Sequence, residues 1–250
     1  MLRGCFALGL VVVMAALLPD AAAADPTREL PKRFQGAPWS FASLSIGFPN
    51  RGRQVRAKRL RPSKQLAIKI GSEATSYGHP ALVLMLRRTA REIARVAPGS
   101  VLLVGDLSKE QGGPLAGHRS HQSGRDADIG FYARDARGKS ILLDRFVTFD
   151  GRGRASDQSG LVFDDWRNWL LVECWVRDAR AGLSHVFVAQ GLRRRLLEYA
   201  RGRKDFAPYV DRAAALLKQP EHGEPHADHF HVRIACPKGQ REICREQSTN

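Results

Sequence analysis

Five of the eight histidines fall in two short blocks, and no other feature of the chain constrains its fold as strongly. The first block reads Gly117-His118-Arg119-Ser120-His121-Gln122-Ser123-Gly124-Arg125-Asp126-Ala127-Asp128, and the second reads His226-Ala227-Asp228-His229-Phe230-His231. Neutral imidazole nitrogens and a carboxylate oxygen satisfy Zn²⁺, and a catalytic zinc keeps three protein ligands so that water can hold the fourth position. His121, Asp128 and His231 have the composition of such a shell. The chain must then fold so that two segments distant in sequence converge on one ion.

Local patterns place these residues. His229-Phe230-His231-Val232-Arg233-Ile234 alternates as a half-buried strand does. Side chains at i and i+2 share a face, so His229 and His231 project together while Phe230 and Val232 turn away. Asp128 stands at the start of a second strand over 127–132, and His118 and His121 lie on the glycine-rich loop before it. A His-x6-Asp pair alone is weak evidence for a metal. Two more imidazoles on one strand face, with His226 three residues before His229, are hard to explain as core packing.

Around the two blocks, apolar spacing predicts helices over 81–96, 163–177, 192–199 and 205–219, with strands over 101–105 and 185–188. Pro98-Gly99 ends the first helix and Pro220 the last. This order predicts an α+β fold: a single domain whose small, mainly antiparallel sheet carries the zinc site and is packed by helices. Residues 25–76 are rich in Pro, Arg and Lys and show one short alternation over 65–70. They read as a basic, irregular N-terminal arm with one strand, ahead of a domain over 77–250.

Compartment and partner follow from the first residues and the charge. Met1-Leu2-Arg3-Gly4 leads into an apolar run that reaches Pro19, followed by small residues at Ala22 and Ala24. That is the order of a secretory signal peptide over 1–24, cut before Asp25, the alternative being a retained amphipathic anchor. No later apolar run approaches membrane length, so the exported chain is not expected to span a membrane. A net charge of +15 favours an anionic partner. For an exported chain, the natural candidates are the carboxylate- and phosphate-bearing polymers of a bacterial envelope. A nucleic acid is disfavoured, since the positive charges are spread along the chain.

Three cysteines remain after residue 24. Cys236 and Cys244 flank a Pro-Lys-Gly loop and, in an oxidising compartment, are expected to pair, two free thiols being the alternative. Cys174 sits in an apolar helical pattern and reads as a small buried hydrophobe, not a nucleophile.

The same residues resemble a known family. Ser120-His121-x6-Asp128 with the closing His-x-His is similar to the zinc signature of the lysostaphin, D-Ala-D-Ala peptidase and hedgehog-like metallopeptidases. More closely, Gly117-His118-x2-His121-Gln122-x-Gly124-x-Asp126-x-Asp128-Ile129 with His226-x2-His229-x-His231-Val232-Arg233 resembles the penicillin-insensitive murein endopeptidases. The likeness takes in Tyr77-Gly78-His79-Pro80, Leu103-Val104-Gly105-Asp106 and Cys236-Pro237, and covers 77–244.

The resemblance implies a periplasmic zinc enzyme that hydrolyses D-alanyl to meso-diaminopimelate crosslinks in peptidoglycan. It makes His121, Asp128 and His231 the zinc ligands, and His229 and His226 the active-site histidines. His118 stands beside the metal, either as a ligand, touching a second ion, or as a partner that orients a ligand. A three-ligand zinc acidifies its bound water, so hydroxide attacks a polarised carbonyl near neutral pH. His229 then takes the proton or stabilises the oxyanion, and His226 is the second candidate for either duty. No nucleophilic serine is offered to a β-lactam.

Other polar residues receive quieter readings. Asp126 reads as a turn cap, the alternative being a partner that orients a ligand; His79 and His222 read as structural. Arg119, Arg125 and Arg233 read as a solvated basic face, with binding of substrate carboxylates as the alternative. Asp150-Gly151 resembles a family Asp-Gly that helps hold an additional metal, yet Gly153 stands where its histidine partner is expected. Strand alternation should turn Asp228 away from the zinc. Two further functions fit the composition: a zinc D,D-carboxypeptidase acting on the same stem peptides, and a non-catalytic basic envelope-binding protein.

Overall fold

The computed structural model describes residues 28–180, 182–221 and 224–246, so the expected signal peptide and His222 lie outside the described residues. The chain opens with β1 (Leu44–Phe48), β2 (Arg51–Val55), β3 (Lys58–Arg59), β4 (Leu66–Ile68), β5 (Tyr77–Gly78), α1 (Pro80–Val96) and β6 (Leu102–Val104). It continues through β7 (Asp126–Gly130), β8 (Ala133–Arg134), β9 (Ser140–Ile141), β10 (Val162–Phe163), α2 (Asp165–Arg177) and β11 (Leu183–Phe187). Next come α3 (Gln190–Arg201), α4 (Val210–Leu216), β12 (Leu217–Lys218) and β13 (His229–Ile234).

A six-stranded sheet runs in the order β12-β11-β13-β7-β6-β4. Its three inner ladders are antiparallel and the ladder at each edge is parallel, so the α+β expectation of a mainly antiparallel sheet holds. One face is packed by helices. α1 buries Leu82, Val83, Met85, Leu86, Ala90 and Ile93, a stripe set by helical periodicity. Its N-terminus carries Pro80 at the first position, where no amide is missed, and the His79 ring accepts from the Ala81 N–H at 3.3 Å. His79 is therefore structural, as its position before the helix implies.

From β13, Phe230 and Val232 point into this core and are fully buried. The Phe230 ring meets Trp175 of α2 edge-on at 5.4 Å. Burying one such aromatic side chain contributes roughly 1.5–3 kcal/mol. The Asn168 side chain bonds both the N–H and the carbonyl of Tyr132, tying the exit of β7 to α2. With that face committed to helices, alternation leaves His229 and His231 on the other one.

Two stretches differ from their expected form. Residues 28–76 of the expected arm are more regular than an arm, since β1 and β2 pair from Leu44↔Val55 to Phe48↔Arg51 and β4 forms an edge of the main sheet. Leu44 and Val55 join Leu30, Phe34 and Ile243 in a small second core. These strands are at most five residues long, and Ile243, an apolar partner of the hairpin, comes from the other end of the chain, so local periodicity cannot reveal them. The helix expected over 205–219 ends at Leu216, because Leu217 and Lys218 leave it to pair with Val186 and Phe187 of β11.

Candidate metal centre

The registers of β11, β13 and β7 set two cross-strand rows side by side. Phe187, His231 and Asp128 form one row, and His185, Arg233 and Asp126 form the next. His121 reaches the first row from the preceding loop with a φ of 68°, and His226 approaches with a φ of 54°. Left-handed backbone at a residue with a Cβ costs on the order of 1–3 kcal/mol and persists where the surroundings impose it. Two of the site histidines are held in that way.

Hydrogen bonds fix which nitrogen of each imidazole is free. His121 donates from Nδ1 to the Leu107 carbonyl at 2.6 Å, and His231 donates from Nε2 to Asp126 Oδ1 at 2.9 Å. The remaining nitrogens, His121 Nε2 and His231 Nδ1, lie 3.2 Å apart, and each is 3.3 Å from Asp128 Oδ1. Lone pairs facing each other and a carboxylate repel unless a cation or a proton lies between them. A tetrahedral zinc with ligand bonds of about 2.0 Å separates its ligand atoms by about 3.3 Å. The triangle thus has the size of one face of a zinc coordination tetrahedron, and the donor set of two nitrogens and one oxygen fits the ion.

Asp128 is almost fully buried, which by itself would raise its pKa. The neighbouring His121 and His229 outweigh that and hold the carboxyl well below the usual range, so it is ionised. His118 approaches from outside the triangle, with Nε2 3.2 Å from Asp128 Oδ2 and 3.6 Å from Asp106 Oδ2. The ligand atoms of His118, His121 and Asp128 also lie within 4.8 Å of one another, so His118 belongs to the same cluster. Asp106 had no role from sequence. It follows β6, accepts from the Thr75 hydroxyl, and becomes a neighbour of His118 only once β6 and β7 pair.

His229 shares the face of His231, as alternation implies. Its Nε2 is 3.3 Å from Asp128 Oδ1 and its Nδ1 is 2.7 Å from Asp228 Oδ1. Burial disfavours a charge on this ring, but Asp128 and Asp228 outweigh burial and raise its pKa to about 10. Asp228 thus meets the site through His229. His226 donates from Nδ1 to the Glu224 carbonyl at 2.8 Å, and its ring lies 5.0 Å from that of His229 and 5.4 Å from that of His231. Burial pushes its pKa down to about 4, which keeps the ring neutral. All five histidines of the two blocks meet.

Three of the quieter readings change. Asp126 caps no turn: it is fully buried in β7 and accepts from both His231 Nε2 and Arg233 Nε. Arg125 and Arg233 are not a solvated face, being 0% and 3% exposed. Arg125 donates to Ser123 Oγ, Glu246 Oε2 and the Arg245 carbonyl, which pins the C-terminal segment beneath the site loop. Asp150 accepts from the Arg152 and Arg154 amides, so its carboxylate closes its own turn. Cys236 and Cys244 form a disulfide, and burial pushes the free Cys174 thiol up to about 12. Among the described residues no helix is long and apolar enough to cross a membrane.

Fold and site together define an α+β protein with a buried histidine–carboxylate cluster of metal-binding composition, beside a histidine held between two carboxylates. The family model described as penicillin-insensitive murein endopeptidase matches residues 45–250, and the chain belongs to this family of peptide hydrolases. Penicillin-insensitive murein endopeptidases of Escherichia coli O6:K15:H31 and O1:K1 are each 27% identical to it over 240 residues, or 94% of this chain and 81% of theirs. The family match begins in β1 and so takes in the hairpin and β4 along with the site.

Proposed function

We propose that this protein is a periplasmic zinc endopeptidase that hydrolyses D-alanyl to meso-diaminopimelyl crosslinks of peptidoglycan after removal of residues 1–24. The observation that carries the reading is the triangle of His121 Nε2, His231 Nδ1 and Asp128 Oδ1, with edges of 3.2 and 3.3 Å. Membership of the family and the charge of +15, suited to a polymer bearing carboxylates, support it.

Zn²⁺ held there supplies Lewis acidity, which acidifies water and polarises a carbonyl. The chain's own groups do the rest. Leu107 and Asp126 fix the tautomers of His121 and His231, so that each presents one lone pair. His229 keeps a proton on Nδ1 against Asp228, and the Asp128 charge that holds a second proton on Nε2 would be shared with the zinc, so that Nε2 would be freed to take a proton from the attacking water and return it to the leaving amine. His226, with its Nδ1–H committed to Glu224, offers Nε2 as an acceptor for a substrate N–H or a water. No side chain is acylated, so a β-lactam finds no nucleophile to trap.

Purified crosslinked muropeptide dimers test the reading. The expected result is conversion of dimers to monomers without free D-alanine, abolished by a chelator and restored by zinc. Release of free D-alanine would instead identify a D,D-carboxypeptidase, and binding to sacculi without hydrolysis would identify an envelope-binding protein.

A further inference from the structure

Phe146 lies in the loop between β9 and β10, on no element that carries a site histidine, yet its ring stacks on His229. The centroids are 5.0 Å apart and the planes differ by 22°. Two glycines make the space it fills. A Cβ on Gly105, directly after β6, would stand 2.5 Å from Phe146 Cζ and 3.0 Å from its Cε2. A Cβ on Gly130, the residue paired with His229 across β7 and β13, would stand 3.3 Å from Phe146 Cδ1 and 3.1 Å from Leu103 Cδ2. Neither glycine has a positive φ, so neither is demanded by its backbone conformation. Lys69 Nζ, 5.5 Å from the ring centroid, adds a cation–π contact to the slot.

We propose that Phe146 is a positioning residue for His229, and that Gly105 and Gly130 lack side chains in order to seat its ring. The proposal rests on the reading of His229 as the group that carries the proton. An imidazole in that role must keep Nε2 aimed at the atom with which it exchanges the proton, and its remaining freedom is rotation of the ring plane. Asp228 holds the Nδ1 edge at 2.7 Å, and the stacked Phe146 fixes the plane. Half-buried against the sheet, Phe146 also covers one face of the imidazole, so water and substrate approach from elsewhere.

Three variants test this: Phe146→Leu, Phe146→Ala, and Gly105→Ala, which displaces the ring without altering either stacked residue. Each is expected to lower kcat on muropeptide dimers about 10- to 100-fold, the range for a misplaced catalytic group. KM should stay within about twofold and zinc content should not change. In ¹⁵N-histidine-labelled protein, the His229 ring-proton resonances should move downfield as the ring current of Phe146 is removed, while those of His121 and His231 stay in place. The proposal is overturned if the His229 resonances do not move, if they move with kcat unchanged, or if the loss of activity follows a loss of zinc. Should the native protein leave crosslinks intact, the endopeptidase reading fails by itself, and the His229 resonances alone decide whether Phe146 holds the ring.

Discussion

Asp126→Asn separates the geometry of the metal site from its donor set, because it keeps the shape of the side chain and removes only the charge. In the native protein a carboxylate can only accept, so His231 must carry its proton on Nε2 and aim Nδ1 at Asp128. An amide can turn its NH₂ toward His231 and stabilise the opposite tautomer, in which the lone pair points away from the triangle. Loss of such an orienting partner typically costs about 10- to 100-fold in metal affinity, or about 1.4–2.8 kcal/mol. Arg233, 3% exposed, simultaneously loses the negative charge that accepts from its Nε. A hydrogen bond to a charged group is worth about 1.5–3 kcal/mol, so the metal-free protein should lose stability on that scale. Competition with a chromophoric chelator measures the affinity, and urea unfolding of the metal-free protein measures the stability. Asp228→Asn is the control, since it touches His229 and not the triangle, and should leave zinc affinity unchanged. Native affinity in Asp126→Asn would refute the idea that Asp126 sets the tautomer of His231.

Other consequences are more local. Arg125→Ala removes a fully buried guanidinium and leaves the Arg245 carbonyl without its donor, and urea unfolding should show a loss of about 1–3 kcal/mol. Glu246→Gln keeps an acceptor but takes the counter-charge from the buried Arg125, and should cost about 1.5–3 kcal/mol, the worth of a hydrogen bond to a charged group. The Cys174 thiol, pushed up to about 12 by burial, stays protonated through pH 8 and gains thiolate only as pH rises toward that value. Native protein should therefore react slowly with a thiol reagent at pH 8 and quickly once unfolded. Labelling of the native protein at the rate of a free thiol would contradict this.

How far the fold could be read in advance depended on whether its cause was local. The alternation over His229–Ile234 states both the strand and the pairing of two imidazoles on one face, and the bounds of β13 match it. α1 was legible for the same reason, with an apolar stripe bounded by Pro80 and Pro98. Asp126 was misread because β7 begins one residue after Arg125, so both acids of the Asp-x-Asp lie on one strand face; only the register with β13 reveals that they meet His231 and Arg233. Arg125 and Arg233 are spelled like the exposed arginines around them, and what buries them comes from distant segments. Phe146 gives no signal, since its slot is made by one glycine that follows β6 and another at the end of β7, and its partner lies on β13.

The claim that His121, Asp128 and His231 hold the ion is tested most directly by zinc stoichiometry in two variants. After dialysis against metal-free buffer, elemental analysis by mass spectrometry should find a single zinc per chain in the native protein and in His118→Ala, and none in His231→Ala. Retention of zinc by His231→Ala, with loss from His118→Ala, would contradict the account and move the ion to the group formed by His118, His121 and Asp128.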